Sequence, residues 1–394
     1  MINNNNIYDN TLGYYKVNDK CFLNKYEALV AASKTSQPVT YHWYDEVFDK
    51  VDRTNLGLVS LDELYRRRAQ QIRDEYDYII LNYSGGCDSW NILKTFIDNN
   101  IKLDQVMVCW PFKAGEAGLY VPNKQDKSAS NFMSEWDFTT RPDLEWLSKN
   151  HPNIKIELID WSLPFIENPS FVNESKFDQL NHFHNLADLA RSTLFSNTER
   201  DLVEKGKKVC TIWGIDKPVL TFEKSTRNVY MAFRDSITTV GHPSPYNPHG
   251  TEFFYWSPKM PELIYEMSYR KAQWFKERPQ YQKLMFPHPV GTFNFTYIQH
   301  TQMNQFAARE ACYTTWNNKE NTFQVNKPTD HLRKDKDFWL YDNKEFAGHV
   351  QKWEGMYGDY LGQIDTKYAA TGGPEKDKQG YAYYPTMDHL VCTI

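Results

Sequence analysis

The sequence predicts an α/β fold, a parallel sheet flanked by helices, and two observations carry that reading. Short apolar, β-rich runs recur between residues 78 and 213, each separated from the next by a stretch with helical character. Strands separated by helices in this way imply a parallel sheet covered on both faces. A glycine turn follows the first run and opens at once into a helical stretch.

Taken in order, residues 1–60 read as a small α+β region whose Asn-rich start is expected to be disordered. Tyr14–Val17 and Cys21–Leu23 flank Asn18-Asp19-Lys20, a hairpin turn, and Lys25–Ser33 follows as a short helix. From 61 to 240 strands and helices alternate. Leu61–Glu75 is a charged amphipathic helix and Tyr78–Tyr83 the first strand. Trp90–Asp98 is helical, Val106–Trp110 the second strand and Ile154–Ile159 the third. Between those two strands Glu135–Asn150 reads as helix, with Pro142 marking a break or a start. Lys176–Ser196 and Thr198–Lys205 look helical, and Lys208–Trp213 is the fourth strand. Past 240 the rhythm is lost. The run GHPSPYNPHG is loop, Pro261–Lys276 an aromatic-rich helix, and weaker helical signals lie at Thr301–Cys312 and Glu345–Gly358. Residues 241–394 are therefore expected to form an appended, mainly helical or irregular region, with Thr371–Gly380 disordered.

Composition narrows the classes of function. With 394 residues, 41% hydrophobic and 24% charged, the chain has ample material for a core. A formal net charge of −5 excludes wholesale coating of nucleic acid, although a local basic patch stays compatible with it. No apolar run approaches the roughly 18–20 residues that a membrane span needs, and the start lacks the pattern of a signal peptide. A cytoplasmic protein without membrane contact is the expectation. The six cysteines, Cys21, Cys87, Cys109, Cys210, Cys312 and Cys392, include no CxxC pair, which fits reduced thiols rather than a disulfide framework. The eleven histidines show no HxxxH or HExxH spacing, and His182 and His184, two apart, suit neither a helical metal pair nor a catalytic dyad.

The chemistry concentrates in Ser84-Gly85-Gly86-Cys87-Asp88-Ser89. A tight glycine turn between a strand and a helix lets consecutive backbone N–H groups converge on an anion at the helix N-terminus. Ser84 and Ser89 add hydroxyl donors. Asp88 repels phosphate, so its natural part is to hold a magnesium ion that bridges phosphates. Five fixed positions at roughly 5–7% usage each recur by chance about once per million positions. The motif SGG-x-DS resembles that of the PP-loop ATP pyrophosphatases, the adenine nucleotide α-hydrolases that include asparagine, GMP and NAD synthetases and several tRNA-modifying enzymes. The resemblance covers residues 70 to 240, and beyond them the chain is only vaguely similar to phage-encoded PP-loop proteins.

That resemblance implies a Rossmann-like sheet of the HUP type, with ATP and Mg2+ as ligands. It puts the β- and γ-phosphates in the cradle Ser84, Gly85, Gly86, Cys87 and Ser89, with Asp88 at the metal. Adenine would sit against the end of the second strand, where Trp110 is a candidate stacking platform and packing its plain alternative. The fourth strand ends in Gly214-Ile215-Asp216-Lys217. By the same resemblance Gly214 belongs to a glycine loop beside the α-phosphate, where Lys217 stabilises charge at the α-phosphorus and Asp216 is a candidate to assist the metal, a plain β-turn with a solvated lysine being the alternative. Lys113, Arg191, Lys224, Arg227 and Arg234 are further cations with a possible reach to phosphate, whereas Arg66-Arg67-Arg68 reads as a solvated helix face. The absence of GxxxxGK[ST] excludes a Walker-type NTPase, and Ile2 excludes an N-terminal cysteine glutaminase. The implied reaction is AMP-forming adenylation of a carboxylate or carbonyl acceptor, followed by attack of ammonia or an amine. Modification of a tRNA or DNA nucleobase and a catalytically silent ATP-binding regulator are the alternatives. The acceptor stays unidentified, and nucleic acid as substrate and a homo-oligomer stay open.

Overall fold

The computed structural model describes residues 12–116, 133–167, 196–214, 219–233, 235, 246–282, 306–320, 322, 344, 348, 351, 364 and 386–394. Arg191, Asp216, Lys217, Arg234, His182, His184 and the stretch Thr371–Gly380 lie outside those residues, as do almost all of Lys176–Ser196 and Glu345–Gly358.

The N-terminal region forms an antiparallel sheet from β1 (Tyr14–Val17), β2 (Lys20–Phe22) and β3 (Thr40–His42), with β1 in the middle. The β1–β2 turn is tighter than the sequence suggests: Val17 pairs with Lys20, and Asn18 takes the left-handed conformation that asparagine tolerates. Helix α1 (Lys25–Thr35) starts where the Asn24 side chain accepts from the N–H groups of Tyr26 and Glu27.

A five-stranded, all-parallel sheet with helices packed on it bears out the α/β, Rossmann-like expectation. Its strands are β4 (Tyr78–Asn82), β5 (Gln105–Trp110), β6 (Lys155–Asp160), β7 (Val209–Trp213) and β10 (Thr251–Phe253), in the order β10-β7-β4-β5-β6. Ile79 and Leu81 face the main core while Ile80 turns to a smaller cluster with Met107 and Val209, so both faces of β4 are buried. A third sheet is antiparallel, with β9 (Asn228–Ala232) between β8 (Val219–Glu223) and β11 (His389–Thr393). Strands β8, β9, β10 and β11 have no counterpart in the sequence reading, and β10 brings a strand of the central sheet from beyond residue 240.

Helix α2 (Leu61–Glu75) matches its predicted span, capped by Ser60, which accepts from the N–H of Glu63. It lies against α3 (Cys87–Asp98) and α6 (Pro261–Lys276). The expected helix over Glu135–Asn150 is a π-helical turn, Trp136–Thr140, leading into α4 (Arg141–Asn150) with Pro142 in its first turn. Helix α5 (Asn197–Glu204) packs on β7. Among the described residues no helix is long and apolar enough to cross a membrane.

The reading of Arg66-Arg67-Arg68 as one solvated face needs correction. Arg66 and Arg67 do face outward and share Glu63, but Arg68 is fully buried. Its guanidinium donates to Glu252 at 2.5 Å and to the carbonyls of Phe253 and Phe254, tying α2 to β10. Glu252 also accepts from Tyr76 and Lys259. Burial pushes the Glu252 carboxyl up, but Arg68 and Lys259 outweigh it and hold the group below its ordinary value. A carboxylate so depressed contributes stability above its unfolded pKa, and that stability is lost as pH falls through the folded one. Arg68→Met is therefore expected to lower the unfolding free energy by about 3–5 kcal/mol at neutral pH. Arg67→Met should change it by about 0–1 kcal/mol. Urea denaturation of the two variants measures the contrast, and equal losses would deny the buried pair its role.

Candidate functional site

The loop Ser84–Ser89 lies at the carboxyl end of β4. Successive strands run outward from β4 on one side through β5 and β6, and on the other side through β7 and β10. The order therefore reverses between β4 and β7, the crevice in which open α/β sheets place ligands. Gly214, the residue after β7, reaches that crevice: a Cβ there would come within 3.2 Å of the Asp88 Cβ and 3.0 Å of Ile92. The two segments singled out from sequence thus meet, as far as Gly214; Asp216 and Lys217 fall outside the described residues.

Gly85 makes the turn, with φ at +76°. A Cβ at this position would stand 2.5 Å from Thr140 Oγ1 and 3.2 Å from Thr139 Cγ2, so both the conformation and the space demand glycine. The same threonines hold the turn from outside, Thr139 donating to the Gly85 carbonyl and Thr140 to that of Ser84. Inside it, the Ser89 hydroxyl accepts from the Ser84 N–H at 3.3 Å and donates to the Gly86 carbonyl at 3.2 Å. Ser89 is buried and shapes the loop, while the Ser84 side chain is exposed. Gly86 starts α3 without a side-chain cap, so the positive end of the helix is left to whatever occupies the loop.

Asp88 lies half-buried in the first turn of α3. Its Oδ1 accepts from the Tyr313 hydroxyl at 2.5 Å, and its backbone carbonyl accepts from Tyr255 at 2.8 Å. Burial, and then the Asp88 charge, push the ionisation of both phenols well above the usual value, so both remain donors. The donor chemistry fits magnesium: Asp88 and the exposed Ser84 hydroxyl offer hard oxygens only, and a cation carried on a polyphosphate needs just one or two carboxylates. Among the described residues no group of three His, Cys, Asp or Glu side chains is arranged for a metal. Cys87 is buried beside Asp88.

Trp110 ends β5 as expected, but it is 3% exposed and its indole N–H donates to the Met133 sulfur. In this state the ring packs in the interior. Lys113 is exposed, with its backbone N–H on Asp160. Lys224 and Arg227 lie in the β8–β9 turn, where Arg227 donates to the Ile394 carbonyl, so Arg227 is tied to the last residue of the chain.

Four side chains around the loop escaped the sequence reading: Thr139, Thr140, Tyr313 and Lys319. Lys319 Nζ lies 2.8 Å from Asp143 and 3.2 Å from Thr139 Oγ1, over the rings of Trp90 and Trp316. Tyr83 donates to the same Asp143 oxygen. Burial pushes Asp143 above its ordinary pKa against the pull of Lys319, and burial pushes Lys319 down against the pull of Asp143. No local signal marks these residues, because each acts on the loop from a distant part of the chain. No protein-family profile matches the chain, and neither a curated protein nor a solved structure does.

Two variants probe this geometry. Gly85→Ala should destabilise the protein by about 1–3 kcal/mol, from the left-handed backbone and the threonine contact together; a thermal midpoint equal to wild type would disprove the strain. Lys319→Met leaves Asp143 buried without its cation and raises its pKa further. A raised carboxyl favours the folded state only while protonated, so stability is lost as pH rises through the folded pKa. The expected penalty is about 3 kcal/mol at pH 7.5 and smaller in acid, and denaturation at both pH values should reveal the difference.

Proposed function

We propose that this chain binds ATP with magnesium and cleaves it between the α- and β-phosphates, adenylating an acceptor. The observation that supports the reading best is the loop Ser84–Ser89 itself, an SGG-x-DS turn at the carboxyl end of β4, where the strand order of a parallel sheet reverses. An anion there meets the first-turn N–H groups of α3, the Ser84 hydroxyl and the positive end of the helix dipole. The β- and γ-phosphates are the part of ATP that this cradle suits.

Asp88 is the residue that would hold the metal. Magnesium bound there would neutralise phosphate charge and stabilise pyrophosphate as it leaves. An acceptor oxygen, from a carboxylate or an amide carbonyl, attacks the α-phosphorus, and the bond to the bridging oxygen of the pyrophosphate breaks. Ammonia or an amine then adds to the activated carbon and expels AMP. The chain's own contribution is to position and to stabilise charge, with Lys217 the residue proposed to face the α-phosphate. Gly214 lets the end of β7 lie close against Asp88 and Ile92, where a side chain would crowd both.

The test is a product analysis with Mg-ATP and a small-molecule cell extract as the source of acceptor. AMP and pyrophosphate are expected in equal amounts, and Asp88→Asn should reduce their formation by about 100-fold or more. ADP and phosphate as products would overturn the mechanism.

A further inference from the structure

We infer that Tyr313 is a positioning residue for Asp88, fixing the loop carboxylate in the orientation in which it would meet the cation of a bound nucleotide. The inference rests on the reading of the loop proposed above. The segment that follows the helical stretch 306–312 lies along the first turns of α3 and is bonded to it at Tyr313 and Thr315. Tyr313 donates to Asp88 at 2.5 Å, Thr315 donates to the Asn91 side chain at 2.8 Å, and the Trp90 indole donates to the Thr315 carbonyl at 3.3 Å.

The tyrosine is itself held from behind. Tyr65 of α2 donates to the carbonyl of Cys312, the neighbouring residue, at 2.9 Å. The Tyr255 ring lies 5.6 Å from that of Tyr313 and 5.8 Å from that of Tyr65, and its hydroxyl reaches the Asp88 backbone while accepting from Asn91. Tyr313 is fully buried, so its phenol is aimed by packing. Asp88 is only half-buried. A buried phenol needs an acceptor, but any carbonyl would serve that need. Here the acceptor is the loop's own carboxylate, so the buried hydroxyl favours the Asp88 rotamer that meets it. Carboxylates that ligate metals are commonly oriented by such an outer hydrogen bond, and its loss weakens metal affinity about 10–100-fold.

Calorimetry of the full chain with the non-cleavable analogue α,β-methylene-ATP, titrated over magnesium concentration, tests this. For Tyr313→Phe the magnesium concentration at half-maximal binding is expected to rise about tenfold. Affinity for the analogue without magnesium should stay within about twofold, and the thermal midpoint within about 5 °C. Thr315→Val, which loosens the same segment without touching Asp88, should leave the magnesium midpoint at its wild-type value. In an Asp88→Asn background Tyr313→Phe should have no further effect on magnesium. A Tyr313→Phe protein with the wild-type magnesium midpoint overturns the inference alone. So does one whose affinity falls equally with and without magnesium, since that is the mark of a packing role. Should Tyr313→Phe not fold, Tyr313→Met removes the hydroxyl with a more adaptable side chain, and a magnesium midpoint there unchanged from wild type likewise overturns it. A wild-type protein that binds no analogue at any magnesium concentration overturns the inference together with the ATP reading.

Discussion

Everything around the candidate site depends on how the backbone leaves β4. Within four residues the chain must turn from an extended strand to a helix whose N-terminus faces the crevice, and it does so through Gly85 in a left-handed conformation. That turn is held by the hydroxyls of Thr139 and Thr140, which bond the carbonyls of Gly85 and Ser84. Two adjacent threonines reach adjacent carbonyls at the junction of the π-helical turn Trp136–Thr140 with α4. The helical irregularity and the glycine turn are therefore parts of one arrangement, each filling the space that the other leaves. π-Helical turns recur at functional sites, where they re-aim side chains.

The aromatic content of 15% has a use that composition alone conceals. Around α3 the rings bring hydroxyl and indole N–H groups into the interior and direct them to the loop and to the segments packed around it: Tyr313 and Tyr255 to Asp88, Trp90 to Thr315, Tyr83 to Asp143. A buried aromatic with a polar tip combines apolar area with one directional bond, so it locates an atom as well as filling space. Leucine in those places would pack as densely but would orient nothing. The consequence is that the residues 306–320, far from the loop in sequence, share its rigidity.

Local pattern made some of this legible and long-range pairing hid the rest. Strands β4, β5 and β7 and helix α2 stood out because their burial is recorded in their own apolar content and periodicity, whereas β6 stood out by its apolar residues although it is an edge strand with Leu158 half exposed. Strand β10 did not, since it has only three residues and its middle residue is a glutamate. Glu252 is tolerable inside because Arg68 answers it from 184 residues away, with Lys259 and Tyr76 as further donors. Arg68 in turn looked like its two exposed neighbours, because nothing in a run of three arginines says which one points inward. The loop Ser84–Ser89 was readable as a motif, and Gly214 as the end of an apolar run. Tyr313 and Lys319 were not, for their meaning lies wholly in what they touch.

Charge decides how such a site has to divide its work. A chain of net charge −5 that takes a polyphosphate must gather positive potential locally. Lys319 stands nearby but is a poor source, since its ammonium is committed to Asp143 and Thr139 and shielded by two tryptophans. The helix terminus contributes the equivalent of about half a charge. That is far less than a triphosphate carries, so under the proposed function the balance falls to a cation on Asp88 and to Lys217 beyond β7. A site that relies on one carboxylate to bring its main cation has little tolerance for error in that carboxylate's direction. The investment of Tyr65, Tyr255, Tyr313 and Asn91 in its surroundings then follows from electrostatics, and packing alone would not have required it.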